Sequence, residues 1–446
     1  MKAVKILMLF FGILVISSAG FSQVVDPSYE VGTWAGFRTS AVSYTFDDND
    51  LNQLAVVVPM FNEFGYHLTL FTIISTDTEW KDPNWTGLQE AAEQGHEIAN
   101  HTVTHPNFSQ VDYETEEAEI VNSYNTIETN IPSQTWQTLA YPYCVRGTDS
   151  LIASYFIGAR GCQGQVEPST PRDMLNISSI ICGTQGSVKT ADHFNARVNS
   201  AVKNNGYCVF LMHGIDEDGG WSPTSSTELR SHLEYVAAHP DSFWVASFGD
   251  AIRYIKERND ASVTETSSTD TEVTCEVSDT LDNAIYNLPI TVRRAMPAGW
   301  GDASVKQNDQ VVNSQVVVEE GAAYIMFDVI PDGGPIVLTK TAESGVETQG
   351  TLLPSSLKLM QNFPNPFNPG TEIRFQLANA GQVDIRIVNS LGRDVAVLSN
   401  KRYASGEHTV SWDGRDMKGQ QVSSGVYYCQ IRANDLYDMK KMILAR

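Results

Sequence analysis

The sequence predicts an α/β domain built on a parallel sheet or barrel with helices outside, followed by two all-β segments. Three observations carry this. Residues 36–258 alternate short apolar runs with amphipathic stretches, the pattern of repeated β/α units. Residues 272–342 are strand-like and rich in turns, and residues 357–446 repeat that character. Polar stretches at 259–271 and 343–356 are nearly free of large apolar residues and read as linkers.

The chain of 446 residues opens on MKAVK, then ILMLFFGILVI, then SSAGFSQ. A basic head, a short apolar stretch and a small-residue tail make residues 1–22 a signal peptide, which leaves 23–258 as the first mature domain. No later stretch is apolar enough to span a membrane, so the mature form is expected to carry no integral membrane segment. The runs AVSYTF, HLTLFTII, HEIANHT, QTLAYPY, YCVFLMHG and FWVASFG are the expected strands. WTGLQEAAEQG, YETEEAEIVNSYNTIETN, HFNARVNSAVKNNG and SSTELRSHLEYVAAH are the expected helices. Residues 272–342 read as a small β-sandwich. The last segment opens on QNFPNPFNPGT, where Pro364, Pro366 and Pro369 forbid a helix or central strand. A net charge of −23 argues against nucleic acid or an anionic membrane as partner. Export permits disulfides; four of the six cysteines lie between 144 and 208, where a bridge is expected, although sequence does not choose the pairing.

Polar exceptions cluster at the ends of the expected strands. Asp47 and Asp48 end the first, His101 and His105 follow HEIAN, Tyr141-Pro142-Tyr143 end QTLAYPY, and His213 ends YCVFLM. Carboxyl ends of parallel strands are where such folds gather their chemistry. His101 and His105, four residues apart, share a face, and with Asp48 they make a two-imidazole, one-carboxylate set suited to a divalent metal, zinc above all. Asp47 is then left beside a metal-bound water as its base, and His213 is placed to protonate a leaving group. Trp80, Trp85 and Trp221 fall in loops or at helix starts near the same rim, and Trp85 and Trp221 are candidate platforms for a sugar ring.

TFDD, HTVTH, YPY and LMH, in this order, together with EQGHEIANHTVTH and FWVASFGDAIRYIKER, resemble the polysaccharide deacetylases of carbohydrate esterase family 4, the NodB-homology group. The resemblance covers residues 36–258. It implies a distorted (β/α) barrel and metal-dependent removal of N- or O-acetyl groups from a polysaccharide or oligosaccharide. It makes Asp47 the base, Asp48, His101 and His105 the metal ligands, and His213 the acid, with the Tyr143 N–H toward the oxyanion. Two departures stand out. Ala140 occupies the place of an arginine that orients the base, and the family's Asp-rich fourth motif is not recognisable. Arg160 or Arg172 are candidates to replace the first, and Asp173 the second. A non-catalytic carbohydrate-binding protein on a decayed scaffold is the alternative. Residues 357–446, with LKLMQNFPNPFNPGTEIRFQL and KKMILAR, resemble the C-terminal sorting domain of type IX secretion cargo. That resemblance implies a small β-sandwich, the type IX machinery as partner, and a secreted or cell-surface location reached through the periplasm.

Overall fold

The computed structural model describes residues 25–75, 83–319 and 321–341. In the C-terminal part it describes 358–360, 362, 367, 369–377, 380–389, 394–404, 406–422, 425–433 and 436–444. The segments expected as a leader (1–22) and as a linker (343–356), and Trp80, lie outside the described residues. The chain divides into two units, Met1–Ala342 and Glu343–Arg446.

In the first unit a short strand β1 (Tyr29–Val31) is followed by β2 (Ser40–Asp47), β3 (Thr69–Thr72), β4 (Glu97–Asn100) and β5 (Thr138–Ala140). Next come β6 (Gly158–Arg160), β7 (Ile180–Ile181), β8 (Tyr207–Met212) and β9 (Phe243–Val245). Strands β2 to β9 build one curled sheet in the order β6-β5-β4-β3-β2-β8-β7, with β9 beside β2. Every pairing in it is parallel. Among the described residues seven α-helices accompany it: α1 (Val58–Phe64), α2 (Trp85–Glu93), α3 (Tyr113–Asn130), α4 (Asp149–Tyr155), α5 (Ala191–Lys203), α6 (Ser226–Ala237) and α7 (Phe248–Asp260). Polar side chains cap the starts of five of them: Asn84, Asp112, Thr190, Ser225 and Ser247. Each accepts an otherwise orphaned backbone N–H of the first turn.

Strands β2 and β8 are buried at every residue, as expected of parallel strands covered on both faces. Strand periodicity still sorts them. Val42, Tyr44 and Phe46 pack outward with Phe61, Phe194 and Leu233. The alternate positions, Ser43, Thr45 and Asp47, are polar, and Ser43 and Thr45 bond within the sheet region to Ala246 O and Phe210 O.

The polar stretch 259–271, expected as a linker, is not one. Its first two residues finish α7, and Ser262–Ser268 form β10, which pairs with β11 (Glu272–Ser278). The strand is polar because it lies at a sheet edge and buries mainly Val263. The sandwich continues through β12 (Ile290–Ala295), β13 (Ala303–Gln307), β14 (Gln310–Val311), β15 (Ser314–Glu319), β16 (Ala322–Val329) and β17 (Ile336–Lys340). Its two sheets have the orders β1-β12-β16-β15 and β10-β11-β17-β13-β14. It therefore recruits β1, from upstream of the barrel, and Tyr254 of α7 joins its core with Val277, Val292, Phe327 and Leu338. Barrel and sandwich share buried surface rather than meeting across a tether.

The second unit contains β18 (Lys358–Leu359), β19 (Thr371–Leu377), β20 (Gly381–Asn389), β21 (Asp394–Tyr403), β22 (Gly406–Trp412), β23 (Gly425–Ala433) and β24 (Leu436–Leu444). They form two antiparallel sheets, β18-β19-β22 and β21-β20-β23-β24, around Ile373, Phe375, Ile385, Ile431 and Trp412. Phe367, from the proline-rich lead-in, is buried against Trp412; Pro364 and Pro366 lie outside the described residues. Among the described residues no helix is long and apolar enough to cross a membrane.

Candidate active site

The alternation that hides Tyr44 and Phe46 in the core sets Thr45 and Asp47 on the opposite face of β2. Arg160, the last residue of β6, meets both there. Its Nη1 donates to Thr45 Oγ1 at 2.7 Å and to Asp47 Oδ1 at 2.9 Å, and Nη2 donates to Asp47 Oδ2 at 2.5 Å. The guanidinium also lies over the Phe71 ring, 4.8 Å from its centroid. This buried, two-pronged pair fixes the Asp47 carboxylate in one orientation. Burial alone would raise the Asp47 pKa, but Arg160, with His101 and His213, brings it down to about 2.

After Asp47 the chain turns through the left-handed region at Asp48 (φ 73°) and Asn49 (φ 56°), residue types that tolerate it. The loop after β4 does the same at Thr102 (φ 69°) and His105 (φ 57°). HTVTH is thus a tight loop, neither helix nor strand, and its two imidazoles meet edge to face with ring centroids 4.7 Å apart. His101 Nδ1 lies 2.8 Å from Ala140 O. A carbonyl only accepts, so Nδ1 carries a proton, and in the neutral ring Nε2 is the nitrogen left to present a lone pair. That Nε2 is 3.4 Å from Asp48 Oδ1, and His105 Nε2 is 3.7 Å from the same oxygen.

The three ligand atoms lie within 4.8 Å of one another, on three buried residues. Asp48 Oδ1 is buried without a hydrogen-bond donor. Lone pairs converging on one point are what a divalent cation would relieve, so the residues present fit a metal. Burial pushes the His105 pKa down to about 4, and His101 beside it adds to the effect. The His101 pKa is raised against its burial by Asp47 and Asp48. The Asp48 pKa is lowered despite burial, chiefly by His101.

His213 follows β8, its Nε2 3.9 Å from Asp47 Oδ2 and 3.8 Å from Asp48 Oδ2. Burial lowers its pKa against the pull of both carboxylates. The half-exposed Trp221 ring stands edge to face with it, centroids 4.7 Å apart. Across the site, Tyr143 sits in the Pro142–Cys144 turn at φ 53°, its exposed ring 4.6 Å from that of His105. A disulfide joins Cys144 to Cys162, clipping the Tyr143 turn to the segment that follows Arg160.

Asp47, Asp48, His101, His105, Tyr143, His213 and Trp221 all line one cleft of about 560 Å³. Trp85, expected as a sugar platform, does not. It begins α2 behind the Asn84 cap and packs, partly buried, against the barrel core, because the apolar face of an amphipathic helix turns inward. Of the candidate replacements, Arg160 is the one that meets Asp47. Arg172 is exposed and outside the cleft lining. Asp173 pairs with Arg146 at 2.6 Å and does not line the cleft either. Sequence reasoning passed over Asp50 and Gly219-Gly220, which also line it. The Asp-Asn-Asp continuation of the first motif and the glycines beside Trp221 were the available signals.

Residues 36–159 match the family model described as polysaccharide deacetylase, and residues 364–436 match the model described as FlgD Ig-like domain. A gellan lyase from a Bacillus species is 29% identical over 337 residues. That alignment takes in 71% of this chain, which spans only 13% of the length of that relative. Among solved structures, a family 4 acetyl xylan esterase from Clostridium thermocellum is similar, at 14% identity and a TM-score of 0.34, over 47% of this chain and 89% of that one. The Xyl-CE4 domain of a multidomain xylanase from a Trinervitermes trinervoides hindgut metagenome gives 14% and 0.33, over 47% and 88%. The first half of the barrel, with Asp47, Asp48, His101, His105 and Tyr143, thus falls inside the match to a polysaccharide deacetylase domain, a class of hydrolases acting on acetylated sugars.

Proposed function

We propose that this protein is a secreted, metal-dependent carbohydrate deacetylase that hydrolyses N- or O-acetyl groups on a polysaccharide or oligosaccharide. The observation that carries the reading is the different setting of two adjacent carboxylates: Asp48 Oδ1 lies 3.4 and 3.7 Å from the Nε2 atoms of His101 and His105, while Asp47, itself 3.7 Å from His101 Nε2, has both oxygens bonded by Arg160. Asp48, His101 and His105 would hold a divalent ion, zinc being the best fit to two imidazoles and one carboxylate. Bound there, the ion would supply Lewis acidity to a water and to the acetyl carbonyl.

The chain's own groups do the rest. Asp47, ionised and fixed by Arg160, takes a proton from the water whose oxygen bonds to the acetyl carbonyl carbon. The developing oxyanion falls beside the Tyr143 turn, where a backbone N–H donates to it. The bond from that carbon to the sugar nitrogen or oxygen then breaks, and His213 delivers a proton to the departing amine or alkoxide. The proton that Asp47 takes from the water can reach the leaving group through His213, whose Nε2 lies 3.9 Å from Asp47 Oδ2. Acetate and the free sugar group are the products. Trp221 offers a half-exposed ring on which a sugar stacks. A polysaccharide substrate also accords with the gellan lyase relative.

Ala140 favours the alternative of a decayed, purely sugar-binding scaffold; Arg160, supplying the same positive charge from the neighbouring strand, speaks for catalysis. Secretion by the leader at 1–22, and type IX sorting by residues 357–446, complete the proposal. It draws support from the leader's residue pattern, the NFPNPFNP run and the β-sandwich of the second unit. Acetate release from a panel of acetylated xylan, chitin, peptidoglycan and exopolysaccharide fragments tests the activity. Release from at least one, lost on chelation and restored by zinc, is expected; release from none would overturn it.

A further inference from the structure

Helix α3 carries two buried carboxylates three residues apart, Glu116 and Glu119, so both leave the same face. Each reaches a loop at the cleft. Glu116 accepts the Thr148 N–H at 2.5 Å and the Thr148 hydroxyl at 2.9 Å, on the loop that follows the Tyr143 turn. Glu119 Oε2 accepts the backbone N–H groups of Val103 and Thr104, both at 2.8 Å, and Oε1 accepts the Thr104 hydroxyl at 2.6 Å. These donors lie between His101 and His105. One turn further along α3, the Ser123 hydroxyl donates to Asn100 Oδ1 at 3.0 Å, and Asn100 Oδ1 also accepts the Thr102 N–H at 2.8 Å.

The HTVTH loop needs such support. Thr102 and His105 occupy the left-handed region, which non-glycine residues hold only when their surroundings impose it. We propose that Glu119 is the positioning residue of the metal site: its three charge-assisted bonds fix the separation of the two imidazoles and thereby set the affinity for a divalent cation. The inference rests on the metal-dependent reading above and adds a residue that touches neither substrate nor metal.

The test uses the full chain stripped of metal, with zinc affinity read by competition against a chromophoric chelator and thermal unfolding of the metal-free protein measured alongside. Glu119→Ala is expected to weaken zinc binding by about 10- to 100-fold. Glu119→Gln keeps an oxygen for the two N–H groups and an amide for the Thr104 hydroxyl, and should stay within about threefold of wild type. Glu116→Ala removes the same kind of bonds from a loop without a metal ligand. It should lower the melting temperature yet leave zinc affinity within about threefold. A purely structural role for Glu119 would instead make the Glu116 and Glu119 variants alike in zinc affinity, and that result overturns the proposal. So does a Glu119→Ala protein that binds zinc as wild type does. If Glu119→Ala does not fold, Thr104→Val, which deletes one of the three bonds, decides: weaker zinc binding supports the role and unchanged binding overturns it. His101→Ala is the control. Wild-type zinc affinity in that variant sinks the metal site itself, whereas loss there with none in Glu119→Ala sinks only the Glu119 role.

Discussion

Arg160 is the residue on which the chemistry of Asp47 turns. It holds the Asp47 carboxylate, the proposed base, by two hydrogen bonds inside a site where both groups are 2% exposed. Arg160→Ala should lower kcat on the order of 10²-fold or more, since an unoriented base loses most of its advantage. The pH profile should move as well. Asp47 must be ionised to act, and Arg160 helps keep its pKa at about 2; without that charge the pKa rises, so the acid limb of kcat/KM shifts to higher pH. A wild-type acid limb in this variant would contradict the assignment. The two aspartates, the histidine pair and His213 were legible because each interrupts an apolar run at a strand end. Arg160 was one of two candidates in the sequence. It sits on a three-residue strand without an apolar run to announce it, and its partner is 113 positions away. Trp85 misled because a helix start and a loop look alike in sequence, while its burial depends on which face of α2 meets the core.

At the scale of elements, two ties hold the rim and the base of the barrel. The Cys144–Cys162 disulfide joins the turn bearing Tyr143 to the segment after Arg160. Replacing both cysteines with serine should cost about 3 kcal/mol on a chain-entropy estimate and reduce acetate release, with reductant reproducing the effect on wild type. Equal melting temperatures and rates would show that the bridge does neither. At the opposite end of β4, buried Glu97 accepts the Thr69 and Thr138 hydroxyls and the Gly249 N–H, tying β3, β4, β5 and α7. Burial pushes its pKa up to about 7. Between the unfolded carboxyl value and 7 the folded protein binds the extra proton, so this group lowers stability as pH rises through that window. Glu97→Gln should therefore flatten that decline between pH 5 and 8, by on the order of 1–3 kcal/mol. Chemical denaturation at the two pH values measures it, and an unaltered decline would contradict the placement. All six apolar runs recognised in the sequence contribute strands. Strands β6 and β7 were not recognised, because three and two residues without a longer apolar run around them, such as announced β5 and β9, give periodicity nothing to repeat. HTVTH folds as a loop because bonds from α3, not local spacing, shape it.

For the whole molecule, the lesson of residues 259–271 is that polarity marks an edge strand as readily as a tether. Tyr254 and β1 are built into the sandwich core, so a chain ending at residue 258 should unfold or aggregate, while one ending at 342 should melt cooperatively and keep acetate release. Equal behaviour of the two truncations would show that barrel and sandwich are independent. In the native host, loss of residues 357–446 should strand the enzyme in the periplasm; fractionation with an activity assay reports it, and undiminished delivery to the surface or medium would remove the sorting proposal. The central claim remains the split between two neighbouring carboxylates, one to hold a metal and one to work on water. Asp47→Asn, compared with wild type for bound zinc by elemental analysis and for acetate release on the same preparation, tests it most directly. About one zinc per chain, with acetate release reduced on the order of 10²–10⁴-fold, is the predicted result. Near wild-type release from Asp47→Asn, or loss of the zinc together with the activity, would contradict it.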